Sequence, residues 1–176
     1  KIKIFDEIVS LKIRDINILN VLVVFAILKL LRLDLSKSLN SFKNIEPMNG
    51  RGKISLIKRY GKKINLIDES YNANPLSVQN ALIKISSLKK KNLKKYILLG
   101  DMLELGKKSN YFHKNISNII NKTDIDKVFV YGNKIFETYK NIKKNKRGNI
   151  LQYTSDFDEI FSKILQKNDT RLFCID

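Results

Sequence analysis

A chain of 176 residues, 43% hydrophobic and 29% charged, is long enough for one domain, or for one domain and a fragment of another. Its single cysteine, Cys174, excludes an internal disulfide and a cysteine-based metal site, and its single histidine, His113, excludes a histidine-rich metal centre. The formal charge of +17 invites a polyanion partner, but the positive residues are mostly lysines spread among Asn and Ile, as compositional drift at tolerant surface sites would leave them.

In chain order, residues 1–13 carry short apolar stretches that predict one or two strands. From Asn17 to Leu31 the pattern becomes a long helix, apolar on nearly all faces, which predicts burial. Its most apolar run, Val21–Leu28, is far shorter than the ~20 residues that cross a bilayer. A second helix is expected over Leu35–Phe42, with Asp34 or Ser36 as its cap. Pro47-Met48-Asn49-Gly50-Arg51-Gly52 then breaks all periodicity and marks a domain boundary, giving units 1–46 and 47–176.

Beyond that boundary strands and helices alternate. Strands are expected at Ile54–Ile57 and Ile64–Ile67, with Tyr60-Gly61-Lys62 turning between them, then at Tyr96–Leu99, Val128–Tyr131, Ile150–Tyr153 and Arg171–Ile175. Helices are expected at Ser77–Leu88, Tyr111–Ile120, Asn133–Tyr139 and Asp156–Leu165. This alternation predicts an α/β fold, Rossmann-like, with a mainly parallel sheet and helices on both faces. The lysine runs at 89–95 and 143–147 fall between periodic segments and read as solvated loops. Lys1 at the start and an apolar run at the end read as cut ends of a longer protein.

Two strand ends concentrate polar groups where open α/β sheets bind ligands. After Ile67 come Asp68-Glu69-Ser70-Tyr71-Asn72-Ala73-Asn74-Pro75. Adjacent carboxylates on a strand point to opposite sides, so one of Asp68 and Glu69 can face a given ligand. A carboxylate there suits the two hydroxyls of a ribose, while Asn72 and Asn74 offer both donors and acceptors. The plainer alternative is a turn in which Asn caps the helix and nothing binds. After Tyr96–Leu99 come Gly100 and Asp101, with Glu104 one turn on, a pair suited to a substrate amine or a water, or simply to a capped turn. Arg51, flanked by glycines, presents an accessible guanidinium for a phosphate or a base, or a merely solvated one. His113 lacks a fixed partner in the sequence and reads as structural. No Gly-x-x-x-x-Gly-Lys-Ser/Thr, Gly-x-Gly-x-x-Gly or Gly-x-Ser-x-Gly occurs, so the chain by itself has no triphosphate cradle and no serine nucleophile.

Taken together, these segments resemble the C-terminal part of a Mur ligase. The likeness is carried by Asn17-Ile18-Leu19-Asn20, Gly50-Arg51-Gly52, Asp68-Glu69-Ser70-Tyr71-Asn72-Ala73-Asn74-Pro75, Leu99 to Gly106, Ser109 and His113. The wording is similar to that of the branch that adds D-alanyl-D-alanine to UDP-N-acetylmuramoyl-tripeptide. The resemblance implies that residues 1–46 are the helical tail of a central ATPase domain and residues 47–176 a C-terminal Rossmann-like domain. It implies an acyl phosphate made with ATP and Mg2+, held mainly by parts of the central domain outside this chain, then attack by the dipeptide amine. Carried over by position, Asn20 lies near the adenine, Arg51 reaches the nucleotide across the junction, and Glu69 binds the ribose. Tyr71, Asn72 and Asn74 line the substrate cleft, and Asp101 and Glu104 share its edge. A cytoplasmic monomer is implied, with no nucleic-acid partner, no membrane insertion and no metal site in these residues.

The sequence departs from the family in three places. Glu69 stands where Asp is usual, Ile16 replaces a His, and Asn168-Asp169-Thr170-Arg171 occupies the place of a Lys-Gly-Ser segment. These departures leave open a second reading, a stand-alone nucleotide- or polyanion-binding module without catalysis, and a third, a non-functional remnant.

Overall fold

The computed structural model describes residues 2–4, 7–9, 18–42, 47–59, 61–88, 93–153, 155–167 and 170–175, with backbone alone at 2–9, 36, 40 and 165–175. The chain forms two compact units, Lys1–Met48 and Asn49–Asp176.

In the first unit, β1 (Ile2–Ile4) and β2 (Glu7–Val9) pair antiparallel, and α1 (Ile18–Leu30) and α2 (Leu35–Phe42) follow. Contrary to the expected all-round burial, α1 buries one stripe. Val21 and Phe25 pack on Leu35 and Phe42, the two Phe rings 4.8 Å apart, while Leu19, Val23, Ile27 and Leu30 are exposed. The eight residues of α2 are too few to cover all faces of a thirteen-residue helix. Ile16 and Asn17 lie outside the described residues.

The second unit is built on six strands in the order β3-β4-β8-β5-β6-β7. These are β3 (Lys53–Arg59), β4 (Lys62–Asp68), β5 (Lys94–Leu99), β6 (Lys127–Tyr131), β7 (Arg147–Leu151) and β8 (Thr170–Ile175). The β3–β4 hairpin is antiparallel, and every other pairing is parallel. Helices α3 (Pro75–Ser87), α4 (Ser109–Lys122), α5 (Phe136–Asn141) and α6 (Ser155–Lys167) connect the parallel strands.

Right-handed crossovers decide which face each helix covers. The steps β4→β5→β6→β7 all run the same way across the sheet, so α3, α4 and α5 share one face. Val78, Leu82 and Ile85 of α3, with Ile116 and Ile120 of α4, pack there on Ile67, Ile97, Leu99, Val128 and Val130. The step from β7 back to β8 runs the other way, and α6 covers the opposite face, with Phe157 and Phe161 on Ile64 and Tyr96. Each such fully buried side chain contributes about 1.5–3 kcal/mol, which makes the three-helix face the main core.

Part of the lysine excess is structural, which corrects the solvated-loop reading at Lys95, Lys146 and Arg147, while Lys89, Lys90 and Lys91 lie outside the described residues. Lys95, 3% exposed, donates from Nζ to Asp124 (2.7 Å) and to the Ser86 carbonyl (2.8 Å). Lys146, 8% exposed, donates to the carbonyls of Thr123 (2.6 Å) and Ile125 (3.0 Å). Arg147 donates to the Ile142 and Lys140 carbonyls. These cations satisfy carbonyls that would otherwise be stranded where loops meet the strand starts. Lys143 and Lys144 stay exposed.

Candidate functional site

All the parallel strands end on one edge, and the turns there carry most of the predicted residues. The first turn, Asp68–Asn74, is fastened to the loop that precedes β3. The Gly50 N–H donates to Asp68 Oδ2 (3.2 Å), the Gly52 N–H to the Asp68 carbonyl (2.7 Å), and the Tyr71 N–H to the Gly50 carbonyl (3.0 Å). Gly50 and Gly52 have φ of +73° and +81°, so both need the left-handed region. A Cβ on Gly50 would lie 2.9 Å from the Tyr71 backbone nitrogen, and one on Gly52 2.6 Å from Glu69 Oε1. Two glycines are thus the condition for the two turns to meet.

Arg51, between them, is exposed and lies over the Tyr71 ring, its guanidinium carbon 4.3 Å from the ring centroid. This is a cation–π pair that presents the remaining guanidinium edge to solvent.

The adjacent carboxylates divide as strand geometry requires. Asp68 turns back and accepts from Ser70 Oγ (2.5 Å) and the Ser70 N–H (3.1 Å) as well as from Gly50. The Ser70 hydroxyl, followed by these backbone donors, holds its pKa below the usual carboxylate range, against the opposing pull of partial burial. Glu69 is half-buried against Gly52, and burial pushes its pKa up, with Lys84 opposing and Asp68 adding to the rise. Of the two, Asp68 is the carboxylate that fastens the turns, and Glu69 lies beside Gly52.

Asn72 is exposed in the same turn. Asn74 is the N-cap of α3, its Oδ1 accepting from the Leu76 and Ser77 N–H groups while Ser77 Oγ accepts from the Asn74 N–H. That reciprocal box commits the oxygen of Asn74 to the helix and leaves its amide NH2 facing outward chemistry.

The second turn, after β5, contains Asp101 and Glu104. Asp101 accepts from the backbone N–H groups of Asn133 (3.0 Å) and Ile135 (2.7 Å), latching this turn to the one after β6. The sequence reading missed that latch, although Gly132 directly after the β6 pattern was its signal. A Cβ there would lie 2.6 Å from the Asp101 carboxyl. Glu104 is exposed, with φ of +60°, an uncommon backbone state for a residue other than Gly.

His113 has partners after all. It is wholly buried, accepts at Nε2 from the Met102 N–H (3.1 Å) and donates from Nδ1 to the Ser109 carbonyl (2.8 Å). Asn20 is exposed on α1 in the first unit. Among the described residues no group of three His, Cys, Asp or Glu side chains could hold a metal ion, and no helix is long and apolar enough to cross a membrane.

The profile of the family described as "Mur ligase, glutamate ligase domain" matches residues 53–174. The chain is 42% identical over 69 residues to the UDP-N-acetylmuramoyl-tripeptide–D-alanyl-D-alanine ligase of Bacillus subtilis (strain 168), covering 39% of this chain and 15% of that protein. It is 38% identical over 76 residues to the ligase of the same name from Buchnera aphidicola subsp. Baizongia pistaciae (strain Bp), covering 43% and 16%. Among solved structures it resembles the MurF ligase of Thermotoga maritima in complex with ADP, with a TM-score of 0.68 and 21% identity over 90% of this chain and 34% of that one. It also resembles MurF of Acinetobacter baumannii, with a TM-score of 0.71 and 20% identity over the same shares. The matched part therefore spans about a third of those structures and a smaller share of the curated relatives.

Proposed function

The chain belongs to the Mur ligase family, and on that footing we propose that it is the C-terminal part of an ATP-dependent amide ligase joining D-alanyl-D-alanine to UDP-N-acetylmuramoyl-tripeptide. Residues 1–46 are then the tail of the ATPase domain and residues 47–176 the C-terminal domain. The observation that carries the reading is the fastened pair of turns at the strand-end edge, where Arg51 is braced on Tyr71 and Glu69 is held half-buried beside Gly52. A cation and a carboxylate fixed on one short frame suit the phosphates and the ribose of a nucleotide. The names of the two relatives and the ADP in the Thermotoga maritima structure support the same substrates for this chain.

In this proposal Arg51 steadies phosphate charge, Glu69 accepts from the ribose hydroxyls, and Asn20 lies near the adenine. Tyr71, Asn72 and the amide NH2 of Asn74 border the cleft, and Glu104 faces the incoming dipeptide. Mg2+ would be held mainly by parts of the central domain outside these residues. ATP would give its terminal phosphoryl group to the tripeptide carboxylate, releasing ADP, and the dipeptide amine would then attack that acyl phosphate and expel phosphate; the residues here contribute positioning and charge neutralisation. The protein acts as a cytoplasmic monomer.

The test is ligation by the full-length protein, with phosphate release and product mass followed. Product that requires ATP, the tripeptide precursor and D-alanyl-D-alanine together is the expected result. ATP binding without product would leave the nucleotide-binding module. Salt-sensitive nucleic-acid binding with neither would favour the polyanion module.

A further inference from the structure

We propose that His113 and Asp101 are positioning residues, which fix the Met102–Glu104 crest against the acceptor dipeptide. This rests on the ligase reading above and goes beyond it, giving a positioning part to His113, which was read as structural, and to Asp101, which was placed only at the cleft edge. Met102 is buried, whereas Leu103 beside it is 73% exposed and Glu104 is exposed with φ of +60°. A large apolar side chain and a carboxylate are thus lifted together into solvent on a backbone that does not adopt this shape cheaply.

Two buried or half-buried ties hold that shape. From below, His113 Nε2 takes the Met102 N–H, and the ring is locked in its tautomer because Nδ1 donates to the Ser109 carbonyl. The helix that carries His113 is itself anchored by Thr138 Oγ1, which donates to the His113 carbonyl. From the side, the Asp101 carboxylate takes two N–H groups of the neighbouring turn, which ties the root of the crest to that turn. The two residues flank the crest at its root, one fixing its height and the other its lateral place. An acceptor with an ammonium group and small methyl side chains matches what the crest presents, a carboxylate beside an apolar surface.

The test uses the full-length protein with His113→Leu, His113→Gln and Asp101→Asn. Leu fills the ring's volume without an acceptor, while Gln restores an acceptor near the place of Nε2. His113→Leu and Asp101→Asn should each raise KM for the dipeptide about tenfold, a loss of the size expected when one or two positioning hydrogen bonds go, with KM for ATP unchanged. His113→Gln should recover most of that loss. Amide hydrogen exchange at Met102 should accelerate in His113→Leu, and at Asn133 and Ile135 in Asp101→Asn, while Ile97 in the core keeps its protection. An active wild type whose variants leave the dipeptide KM unchanged, or raise both KM values alike, overturns the positioning role alone. An inactive wild type overturns the proposed function and this role with it. If His113→Leu fails to fold, Asp101→Asn decides the matter by the same KM comparison.

Discussion

Arg51 and Tyr71 belong to different loops, twenty positions apart, yet the guanidinium carbon sits 4.3 Å from the ring centroid. The stack forms because the Gly50 carbonyl accepts the Tyr71 N–H, which sets the two residues side by side. A long side chain that is exposed in solvent would otherwise lose rotamer entropy on meeting a phosphate, and the ring takes up part of that cost in advance.

The stack predicts coupling between two residues that the sequence placed in separate roles. In the full-length protein, Arg51→Ala should raise KM for ATP about tenfold and Tyr71→Ala about threefold, since an exposed cation–π pair contributes roughly 0.5–1 kcal/mol. The double variant should resemble Arg51→Ala alone, because Tyr71 acts through Arg51. Steady-state kinetics on the three variants form the cycle, and additive effects would show that Tyr71 works independently.

The two neighbouring carboxylates predict opposite pH dependences. Asp68 has its pKa lowered on folding, so the stability it contributes is present above its ordinary value of 3.8 and is lost as pH falls through the lowered one. Asp68→Asn should therefore be less stable than wild type at pH 7, with the gap closing in acid. Glu69 has its pKa raised above 4.5, so the folded state holds its proton more tightly and stability falls as pH rises from 4.5 through the raised value. Glu69→Gln should then gain stability at pH 7 relative to pH 4, while losing ribose affinity. Urea midpoints between pH 3 and 7 check both signs.

Much of this fold was legible in the sequence because its strands are apolar runs punctuated by turn residues, as at Ile64–Asp68 and Tyr96–Gly100. What the sequence withheld was long-range. Nothing in Arg171–Ile175 says that this last strand inserts between β4 and β5, since that depends on the direction of one crossover. The Arg51 and Asp68–Tyr71 segments stood out by their residue types, but their fastening runs through backbone N–H groups, which no side-chain pattern reveals. Asp101 looked like a ligand group for the same reason that it serves as a latch, since a carboxylate at a strand end accepts from ligand and backbone N–H alike. Lys95 and Lys146 were hidden by their own abundance, among lysines that remain at the surface.

Lys146 gives a prediction that separates structural from surface charge. Its ammonium satisfies the carbonyls of Thr123 and Ile125, and burial, then Lys143, pulls its pKa down. Lys146→Met keeps the stem and strands both carbonyls, which should cost about 1–3 kcal/mol. Lys144→Met, at an exposed position in the same run, should change stability by less than about 0.5 kcal/mol. Equal midpoints for the two in urea would mean that water replaces the ammonium without loss.

The Asp101 latch makes Gly132 the position where stability and the strand-end edge are joined. Its φ of +129° is outside what a side-chain-bearing residue adopts, and an added Cβ would stand 2.6 Å from the Asp101 carboxyl carbon and Oδ1. Gly132→Ala must therefore distort the backbone or push Asp101 off the Asn133 and Ile135 N–H groups. Gly61, with φ of +72° and nothing within 4 Å of an added Cβ, is the matched control, since Gly61→Ala meets the left-handed cost alone, about 1 kcal/mol. Gly132→Ala should lower stability by about 2–4 kcal/mol, the left-handed cost plus the broken latch, as a shift in urea midpoint at constant slope. Asp101→Asn combined with Gly132→Ala should then cost little more than Gly132→Ala, because the latch is already open. A cost for Gly132→Ala no larger than for Gly61→Ala would mean that Asp101 moves aside freely and latches nothing.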